Sequence, residues 1–573
     1  MSNKITRRVA LTSGLAAGAA SCASTPTMTP YVAASERADG VFAHGVASGD
    51  PRRDSVVLWT RASFDNPPPV ASVVWEIAAD PNFADMRGKG EVMTGASRDW
   101  TVKALARGLA PGETYYYRFR AGAAVSPVGR TRTLPAGPVE RARFAVISCS
   151  NYPFGYFNVY DLISRQEDVD AVIHLGDYFY EYGPDSYGGE VGARLGRAHE
   201  PARETVSLAD YRTRHGQYKA DPASQAMHAR HPLIPIWDDH ETTNNSWKDG
   251  AQNHQPETEG DWHTRKRAAL QAYYEWMPVR EPETMPEAFF RSYAYGDLLT
   301  LAALETRLMA RSRQFEYSDV VPTLQTPEDV ARFKNEILWD ATREMMGAAQ
   351  IDYFDRVMRA SVGEGQPWRL VANQIIMARV AAPDLTVHVT EAEIASLEQE
   401  WAQARAFVES SALGLPLNLD AWDGYPAARE RFYDMVKASG DDGMIVVTGD
   451  THTWWANDLV ARDGTHMGVE LGTHSVTSPS PFQNDFLGGN GAKYALLVNR
   501  ENDDVRYLSG QHHGFIKLDV GRDAARAEFT AVDTIERRDY NAFTQAAFDI
   551  RKTEKGAQFV NADSLSFREG LLF

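Results

Sequence analysis

Side chains able to bind metal ions follow the predicted buried strands of this 573-residue chain, each at the point where a strand ends. Because ligands of α/β proteins bind beyond the carboxyl ends of the strands, we expect these side chains to meet in space. The apolar runs and the residues that follow them are 143–148 with Cys149, 169–175 with Gly176 and Asp177, 233–237 with Asp238 to Glu241, 299–304 with Glu305 to Arg307, 368–371 with Asn373, and 444–448 with Gly449 to His452.

The residue types at these strand ends are those of a mixed metal site. Carboxylate and amide oxygens suit a hard cation such as Ca²⁺, whereas a thiolate, an imidazole or a phenolate suits iron or another transition metal. A single Asp after a strand is more often a helix N-cap, and a lone Cys is often a small buried apolar residue. Independent caps do not explain so many strand ends in succession, so the sequence predicts one site that gathers Cys149, Asp177, Asp239, His240, Asn373, Asp450 and His452.

The elements that must position these residues differ along the chain. Strand-like runs alternate with helical stretches over residues 140–540, which predicts an α/β catalytic body. Tyr115, Tyr117 and Phe119 alternate with polar residues after a Pro-Gly turn, as at the E–F corner of fibronectin type III domains. We therefore expect residues 36–135 to form a β-sandwich similar to those domains, with strands at 55–61, 72–78 and 114–120.

Residues 1–35 have the pattern of a twin-arginine export signal, in which Arg7 and Arg8 precede a short, weakly apolar stretch. That stretch is far shorter than the ~20 residues that a membrane span requires, and no later stretch qualifies. Cys22 ends a run that resembles a lipoprotein cleavage box, and simple cleavage near 33–34 is the alternative. We expect export by the twin-arginine machinery to the periplasm or outside the cell, either free or lipid-anchored through Cys22.

Composition excludes several classes of protein. The chain has 59 basic and 77 acidic side chains and a net charge of −18, whereas binding to nucleic acid requires a basic face. The only cysteines, Cys22 and Cys149, are too few for a disulfide scaffold. Hydrophobic residues make up 43% and charged residues 24%, which is typical of a globular protein with a sizeable core.

The polar clusters at the strand ends resemble the motifs of the calcineurin-like metallophosphoesterases. Where that superfamily has Gly-Asp, Gly-Asn-His-Asp/Glu and Gly-His-x-His, this chain has Gly176-Asp177, Asp239-His240-Glu241 and Gly449-Asp450-Thr451-His452. Three departures resemble the PhoD-type alkaline phosphatases: Cys149 replaces an Asp-x-His motif, Asp239 replaces the Asn, and Asp450 replaces the first His of the last motif. Further runs similar to the PhoD type lie at 44–50, 176–182, 237–241 and 421–425.

The resemblance implies a fold and a set of metal ligands. The implied fold is a metallophosphoesterase sandwich of two mixed sheets flanked by helices, behind the fibronectin III-like sandwich. The implied metals are Fe³⁺ and a neighbouring Ca²⁺ that shares Asp177. Asn373 stands roughly where the superfamily has a metal-ligand His, so it is implied as a further ligand. The iron ligands implied by the PhoD type are Cys149, Asp177, Tyr180 and His452, and the other calcium ligands are Asp239 and Asp450.

The resemblance also implies an activity, the hydrolysis of small phosphate mono- or diesters by in-line attack of a metal-bound hydroxide without a covalent intermediate. His240 is similar to the family histidine near the leaving-group oxygen, so we predict that it contacts phosphate or acts as general acid. Arg307 is a predicted phosphate clamp, with a structural ion pair as the alternative. Residues 541–573 read as a helix and a polar tail, and in the PhoD type such a C-terminal helix covers the site.

Two other functions stay open at this point. A phosphodiesterase or phospholipase D-like hydrolase of cell-envelope or lipid phosphodiesters would use the same metals, and pocket shape decides between it and a monoesterase. A surface protein that only binds phosphate esters would lack some metal ligands, whereas every position of the implied iron site is filled here.

Overall fold

The computed structural model describes residues 28–33, 40–282, 285, 287–400, 402–483 and 489–560. The arginine pair, Cys22 and the tail after residue 560 lie outside the described residues. The helices of the described residues are α1 (Asn158–Ser164), α2 (Gly189–Leu195), α3 (Leu208–Lys219), α4 (Pro222–Arg230), α5 (Pro256–Glu259), α6 (Trp262–Trp276), α7 (Tyr317–Val320), α8 (Pro327–Arg332), α9 (Ala348–Gly363), α10 (Glu391–Glu400), α11 (Ala404–Ser411), α12 (Pro426–Ser439) and α13 (Gly491–Glu501).

The strands of the described residues are β1 (Thr29–Val32), β2 (Val46–Gly49), β3 (Ser55–Arg61), β4 (Val70–Ala78), β5 (Met86–Gly95), β6 (Thr101–Arg107), β7 (Thr114–Ala121), β8 (Ala124–Val125), β9 (Gly129–Arg132), β10 (Arg141–Ile147), β11 (Ala171–His174), β12 (Leu233–Pro235), β13 (Ser246–Trp247), β14 (Gly250–Ala251), β15 (Arg291–Tyr295), β16 (Leu299–Ala303), β17 (Trp368–Ala372), β18 (Met444–Thr448), β19 (Trp454–Val460), β20 (His466–Gly472), β21 (Val505–Ser509), β22 (Gly514–Gly521), β23 (Ala524–Val532), β24 (Asp539–Thr553) and β25 (Gly556–Phe559).

Two large sheets of the described residues pack face to face around the main core. The first has the order β1-β24-β23-β22-β10-β11-β12-β2-β3-β6, with β25 also paired to β24, and the second has the order β15-β16-β17-β18-β20-β19-β21. Both sheets are mixed, because parallel pairs such as β10–β11 and β17–β18 adjoin antiparallel ones such as β10–β22 and β15–β16. Side chains from both sheets, including Val146, Ile173, Leu370 and Val447, form one apolar cluster.

Helices cover the outer faces of both sheets. Along β10, Phe144 and Val146 point into the cluster between the sheets, whereas Ala145 and Ile147 pack against helices such as α1 and α6. Helices α9 and α12 pack in the same way on the second sheet. Strands buried on both faces read as continuous apolar runs, which is why the sequence located them. The predicted mixed α/β class with a β-rich N-terminal region is confirmed.

The N-terminal region differs from the expected separate sandwich. Strands β4, β5, β7, β8 and β9 form one sheet, and its side chains pack against those of β3 in a common core. Strands β2, β3 and β6, however, belong to the first large sheet, since Gly49 of β2 pairs in parallel with Leu233 of β12. The first large sheet therefore runs across the expected boundary at residue 135.

The prediction of a helix after residue 540 is wrong. Residues 539–553 form β24, because Ala546, Phe548 and Ile550 alternate with more exposed residues and enter the core between the sheets. On the same edge, β1 pairs with β24, and Tyr31 stacks on Tyr540 with ring centroids 5.4 Å apart. Cleavage near 33–34 would remove this paired strand, so the packing counts against that processing site.

None of the helices in the described part of the chain combines the length and apolar character needed to cross a bilayer.

A buried carboxylate links the N-terminal region to the catalytic body. Asp50, at the end of β2, is fully buried and accepts hydrogen bonds from the Arg280 backbone N–H and the Tyr293 hydroxyl, both at 3.0 Å. Burial alone would raise the pKa of Asp50, but the charges of Arg291, Arg280 and Arg52 hold it below its ordinary value of 3.8. The ionised form is therefore part of the folded structure.

We expect Asp50→Asn to lower the free energy of unfolding by about 1.5–3 kcal/mol, since hydrogen bonds to a charged group are lost. Because the folded pKa is depressed, the stabilisation is complete above the unfolded pKa and disappears as the pH falls through the folded pKa. Urea unfolding at several pH values should therefore show a smaller acid destabilisation in the variant. Asp65→Asn, at an exposed position, is the matched control, and equal stability of the two variants would contradict the assignment.

Candidate metal centre

The sheet order brings the predicted ligands to one edge. Strands β10, β11 and β12 are neighbouring parallel strands of the first sheet, and β18 is the central strand of the second. Because the carboxyl ends of parallel strands meet at the same edge, the residues that follow them are gathered there. Cys149, Asp177 and Asp239 follow the three strands of the first sheet, and Asp450 and His452 follow β18.

The loops that carry these residues touch each other. A Cβ added at Gly449 would lie 2.6 Å from the Cβ of Ser148, so the loops after β10 and β18 approach too closely for any residue but glycine. The backbone N–H of Cys149 donates to the carbonyl of Gly176 at 3.1 Å, which joins the loops after β10 and β11. Ligand-bearing loops from both sheets therefore form one connected structure.

The backbone holds four of these residues in the left-handed region, with φ of 60° at Cys149, 54° at Asp177, 60° at Asp450 and 52° at His452. Residues with a Cβ adopt this region rarely, and such strain gathers at binding and catalytic sites. An ordinary core residue has no need of it. The backbone geometry therefore supports a functional role for these four positions.

The first ligand group joins a thiol, a carboxylate, a phenol and an imidazole. Ligand atoms of Cys149, Asp177 and His452 lie within 4.8 Å of one another. The Tyr180 hydroxyl lies 3.1 Å from Asp177 Oδ2 and 2.9 Å from His452 Nε2, and Cys149 Sγ lies 3.4 Å from Asp177 Oδ2. The four side chains implied as iron ligands thus point to one place.

The orientation of His452 fits metal binding. Its Nδ1 lies 2.8 Å from the carbonyl oxygen of Pro479, which only accepts, so Nδ1 carries the proton. The lone pair of Nε2 is then directed toward Tyr180 and the rest of the group. Burial lowers the pKa of His452 to about 4, which keeps the ring neutral and able to coordinate.

The second ligand group contains only carboxylates, Asp238, Asp239 and Asp450, with ligand atoms within 4.8 Å of one another. Asp177 connects the two groups, because ligand atoms of Asp177, Asp239 and His240 also lie within 4.8 Å of one another. Carboxylate oxygens are the ligands that Ca²⁺ prefers. Asp238 thus lies beside Asp239 and Asp450, the two carboxylates that the resemblance implies as calcium ligands.

The centre has an excess of buried negative charge. Burial raises the pKa values of Asp177 and Asp450 well above the ordinary value, and neighbouring aspartates add to the shift. Burial and the charge of Asp177 likewise raise the pKa of the Cys149 thiol, and burial raises that of Asp238 to about 6. A bound cation favours ionised carboxylates and thiolate, so it would relieve this cost.

His240 lies beside the ligand groups and is held by Glu181. Its Nδ1 is 2.6 Å from Glu181 Oε2, and its ring packs on that of Tyr180 with centroids 4.0 Å apart. Burial would lower the pKa of His240, but the charges of Asp239, Glu181 and Asp177 raise it well above its ordinary value. The imidazolium is therefore the favoured form in this charged setting.

Sequence reasoning gave no role to two buried glutamates that organise the centre, Glu181 and Glu241, although both lie in its motifs. Glu181 also accepts from the Asn244 backbone N–H at 2.8 Å and from the Asn253 amide at 2.9 Å. Glu241 accepts from the backbone N–H groups of Asp177, Tyr178 and Asp238 at 3.0, 2.7 and 2.9 Å, which ties two ligand loops together. Glu181 stands inside the aromatic run 178–182, and a charged residue in such a run is buried only if it has partners. That pattern could have indicated its role.

Arg307 is completely buried among carboxylates. Its Nε donates to Asp238 Oδ1, and its Nη1 donates to Asp420 Oδ2 at 2.7 Å. Its Nη2 has no hydrogen bond and lies 3.6 Å from Asp450 Oδ1 and 3.9 Å from Asp239 Oδ1. This geometry favours the ion-pair alternative over the predicted phosphate clamp.

Asn373, the further ligand that the resemblance implies, makes two side-chain hydrogen bonds in this structure. Its amide nitrogen donates to the Ile375 carbonyl, and its amide oxygen accepts from the Trp422 indole at 3.3 Å. The neighbouring Gln374 points the other way, toward Trp237. The Asn373 side chain stabilises the turn after β17, and its role as a metal ligand stays a prediction.

Comparison with known proteins agrees with this geometry. The model of the PhoD-like phosphatase family matches residues 144–529, and that of the PhoD-like phosphatase N-terminal domain matches residues 25–135. The chain belongs to the PhoD-like phosphatase family. It is 33% identical over 546 residues to alkaline phosphatase D of Bacillus subtilis (strain 168), which covers 91% of this chain and 83% of that relative. A solved structure of PhoD is 30% identical, with a TM-score of 0.73 over 92% of this chain and 93% of that one.

These matches confirm the resemblance found in the sequence. They support a phosphoric ester hydrolase of the phosphatase type, and they argue against a protein that only binds phosphate esters.

We expect Arg307→Gln to lower the free energy of unfolding by about 3–5 kcal/mol, because Asp238 and Asp420 lose a buried partner. Urea unfolding followed by circular dichroism measures the change. Arg313→Gln is the control, since that side chain is 63% exposed, and it should change the free energy by less than about 1 kcal/mol. Unchanged stability together with a raised KM in Arg307→Gln would restore the phosphate clamp.

Proposed function

We propose that this phosphatase is an exported enzyme that hydrolyses phosphate mono- or diesters at a centre containing Fe³⁺ and Ca²⁺. The observation that supports the proposal most is the convergence of Cys149, Asp177, Tyr180 and His452 on one buried point. Thiolate, phenolate and imidazole together are ligands of a transition metal rather than of a hard cation alone.

The residues present fit both ions. Cys149, Asp177, Tyr180 and His452 would hold the iron, and the carboxylates of Asp239 and Asp450 would hold calcium, with Asp177 shared. The unpaired buried Oδ2 of Asp238 supports a cation on the carboxylate side. When bound, the ions neutralise charge on the phosphate oxygens and lower the pKa of a coordinated water.

His240 is the residue placed to give a proton to the leaving group. Glu181 occupies its Nδ1, so Nε2 is the atom left for the substrate. Glu181 in turn is fixed by Thr243, Asn244 and Asn253, which restricts the orientation of the ring. A positioned proton donor of this kind contributes roughly 10²–10⁴ in rate.

The same residues would serve a phosphodiesterase or a phospholipase-like hydrolase of envelope or lipid diesters. The two activities are separated by kcat/KM for 4-nitrophenyl phosphate and for bis(4-nitrophenyl) phosphate. Faster hydrolysis of the monoester supports a phosphomonoesterase, and the reverse order supports the diesterase.

We also propose a fold family for the two regions and a location for the protein. A calcineurin-like sandwich is supported by the two packed sheets between helices. A fibronectin III-like N-terminal region is supported by the Tyr115 hydroxyl, which accepts from the Ala110 N–H at 2.8 Å, a contact similar to a tyrosine corner. Twin-arginine export to the periplasm or outside, with or without a lipid on Cys22, is based on residues 1–35.

We expect Cys149→Ala to lose iron and phosphatase activity while it keeps calcium, because only the iron group uses the thiol. Elemental analysis of protein purified without added metal, paired with hydrolysis of 4-nitrophenyl phosphate, measures both. The unmodified protein should contain iron equimolar with the chain. Zinc or manganese in place of iron, with Cys149 dispensable, would overturn the ligand assignment but not the phosphatase activity.

We expect Glu181→Gln to lower kcat by about 10–100-fold with little change in KM, because His240 loses the partner that orients it. Metal content should stay the same, which separates this effect from damage to the centre. Glu204→Gln is a matched control, since Glu204 also accepts from the Asn253 amide, at 3.2 Å, but makes no bond to His240. A loss of metal equal to the loss of activity would mean that Glu181 supports the ligands instead.

A further inference from the structure

A chain of aromatic rings leads from the metal centre to the surface. The ring of His240 lies between those of Tyr180 and Tyr182, with centroids 4.0 and 5.5 Å away. Tyr182 contacts Tyr187 at 5.6 Å, and Tyr187 contacts Phe154 at 4.9 Å. The chain therefore begins at a predicted iron ligand and ends at a side chain that is 38% exposed, Tyr187.

The loop that carries Tyr187 is tightly built. A Cβ added at Gly189 would lie 1.7 Å from the Pro184 carbonyl oxygen, and one at Gly188 would lie 2.8 Å from the Phe154 ring. Gly188 also has φ of 86°, which residues with a side chain rarely adopt. The loop holds Tyr187 partly in solvent, and the exposed face of its ring makes no contribution to packing.

Tyr187 lies within electrostatic reach of the centre. Burial first, and then the charges of Cys149 and Asp177, raise the pKa of its hydroxyl. The ring contact with Tyr180, at 6.3 Å, places it beside the same group. The rings of Tyr182 and Tyr187 therefore lie beside the centre, in contact with His240 and Tyr180 respectively.

We propose that Tyr182 and Tyr187 form a binding surface for the leaving group of the substrate, and that they select an uncharged leaving group with a flat aromatic ring. The inference rests on the proposed function, because a leaving group protonated by His240 must lie against the rings next to it. Aromatic rings attract other flat rings in stacked or edge-on contact beyond the effect of apolar area.

Charge on the loop favours an uncharged leaving group. Residues 182–190 include Asp185 and Glu190, both exposed, and no Lys or Arg. A leaving group with a further negative charge would be repelled by these side chains and by the acidic centre. An aryl alcohol or a nucleoside meets both requirements, since each is neutral and carries a flat ring.

A different role for the two rings predicts a different result. If Tyr182 and Tyr187 only shield the centre from water, their removal lowers the rate for every ester alike. If they bind the leaving group, removal lowers the rate for aromatic esters selectively. The ratio of kcat/KM for an aromatic and a non-aromatic ester of similar size therefore distinguishes the two roles.

The test compares phenyl phosphate with cyclohexyl phosphate, which are similar in size and differ in aromaticity. We expect Tyr187→Leu and Tyr182→Leu each to lower the ratio of kcat/KM for phenyl over cyclohexyl phosphate by roughly threefold to tenfold relative to the unmodified protein. Tyr187→Phe should retain the ratio, because the ring is kept. Tyr116→Leu, on the half-exposed face of β7, is the control and should leave the ratio unchanged.

Calorimetry gives a second readout that needs no turnover. Binding of phenylphosphonate and cyclohexylphosphonate to the full-length protein should show a preference for the aromatic compound, which Tyr187→Leu should remove. Equal loss for both compounds, or an unchanged preference in both leucine variants, would overturn the inference. Failure of the unmodified protein to hydrolyse either ester would overturn the proposed function instead, and the calorimetric preference would then decide the inference alone.

Discussion

Repulsion among buried carboxylates is the interaction on which the rest of the structure depends. Seven acidic side chains meet near the ends of β11, β12 and β18, and in the described residues Arg307, Arg311 and His240 are the cations that pair with them. Three positive groups do not balance seven negative ones in a medium of low polarity. The acidic side chains are the buried Asp177, Glu181, Asp238, Asp239, Glu241 and Asp420 and the partly buried Asp450.

Rigid elements of the fold hold these carboxylates together despite their repulsion. Apolar packing between the two sheets fixes the strand ends, and the loops beyond them hold Cys149, Asp177, Asp450 and His452 in a left-handed backbone conformation. Such strain persists only where the surroundings over-determine the geometry. Hydrogen bonds from the loop backbone to Glu241 supply part of that constraint. Electrostatic repulsion, backbone strain and packing thus act on the same residues. Bound cations would neutralise the negative charge that remains.

The sequence predicted strands correctly where the signal lies within a short run of residues. The run 444–448 coincides with β18, because a strand buried on both faces is apolar throughout, and the polar residues after such strands marked the centre. Contacts distant in sequence were not predictable in this way: Asp420 on Arg307, Asn253 on Glu181 and Gly49 on Leu233. The prediction of a helix after residue 540 failed because the Ala-rich middle of β24 suits a helix as well as a strand.

The pairing of β10 with β22 has a consequence for the time at which this protein folds. Arg141 faces Gly521 across that ladder, so the strand before Cys149 has no antiparallel neighbour until synthesis has reached Gly521. During synthesis the edge of β10 stays open, and open edges of apolar strands pair readily with other chains. The catalytic body is thus a late-folding unit whose nascent form needs protection until its last strands emerge from the ribosome.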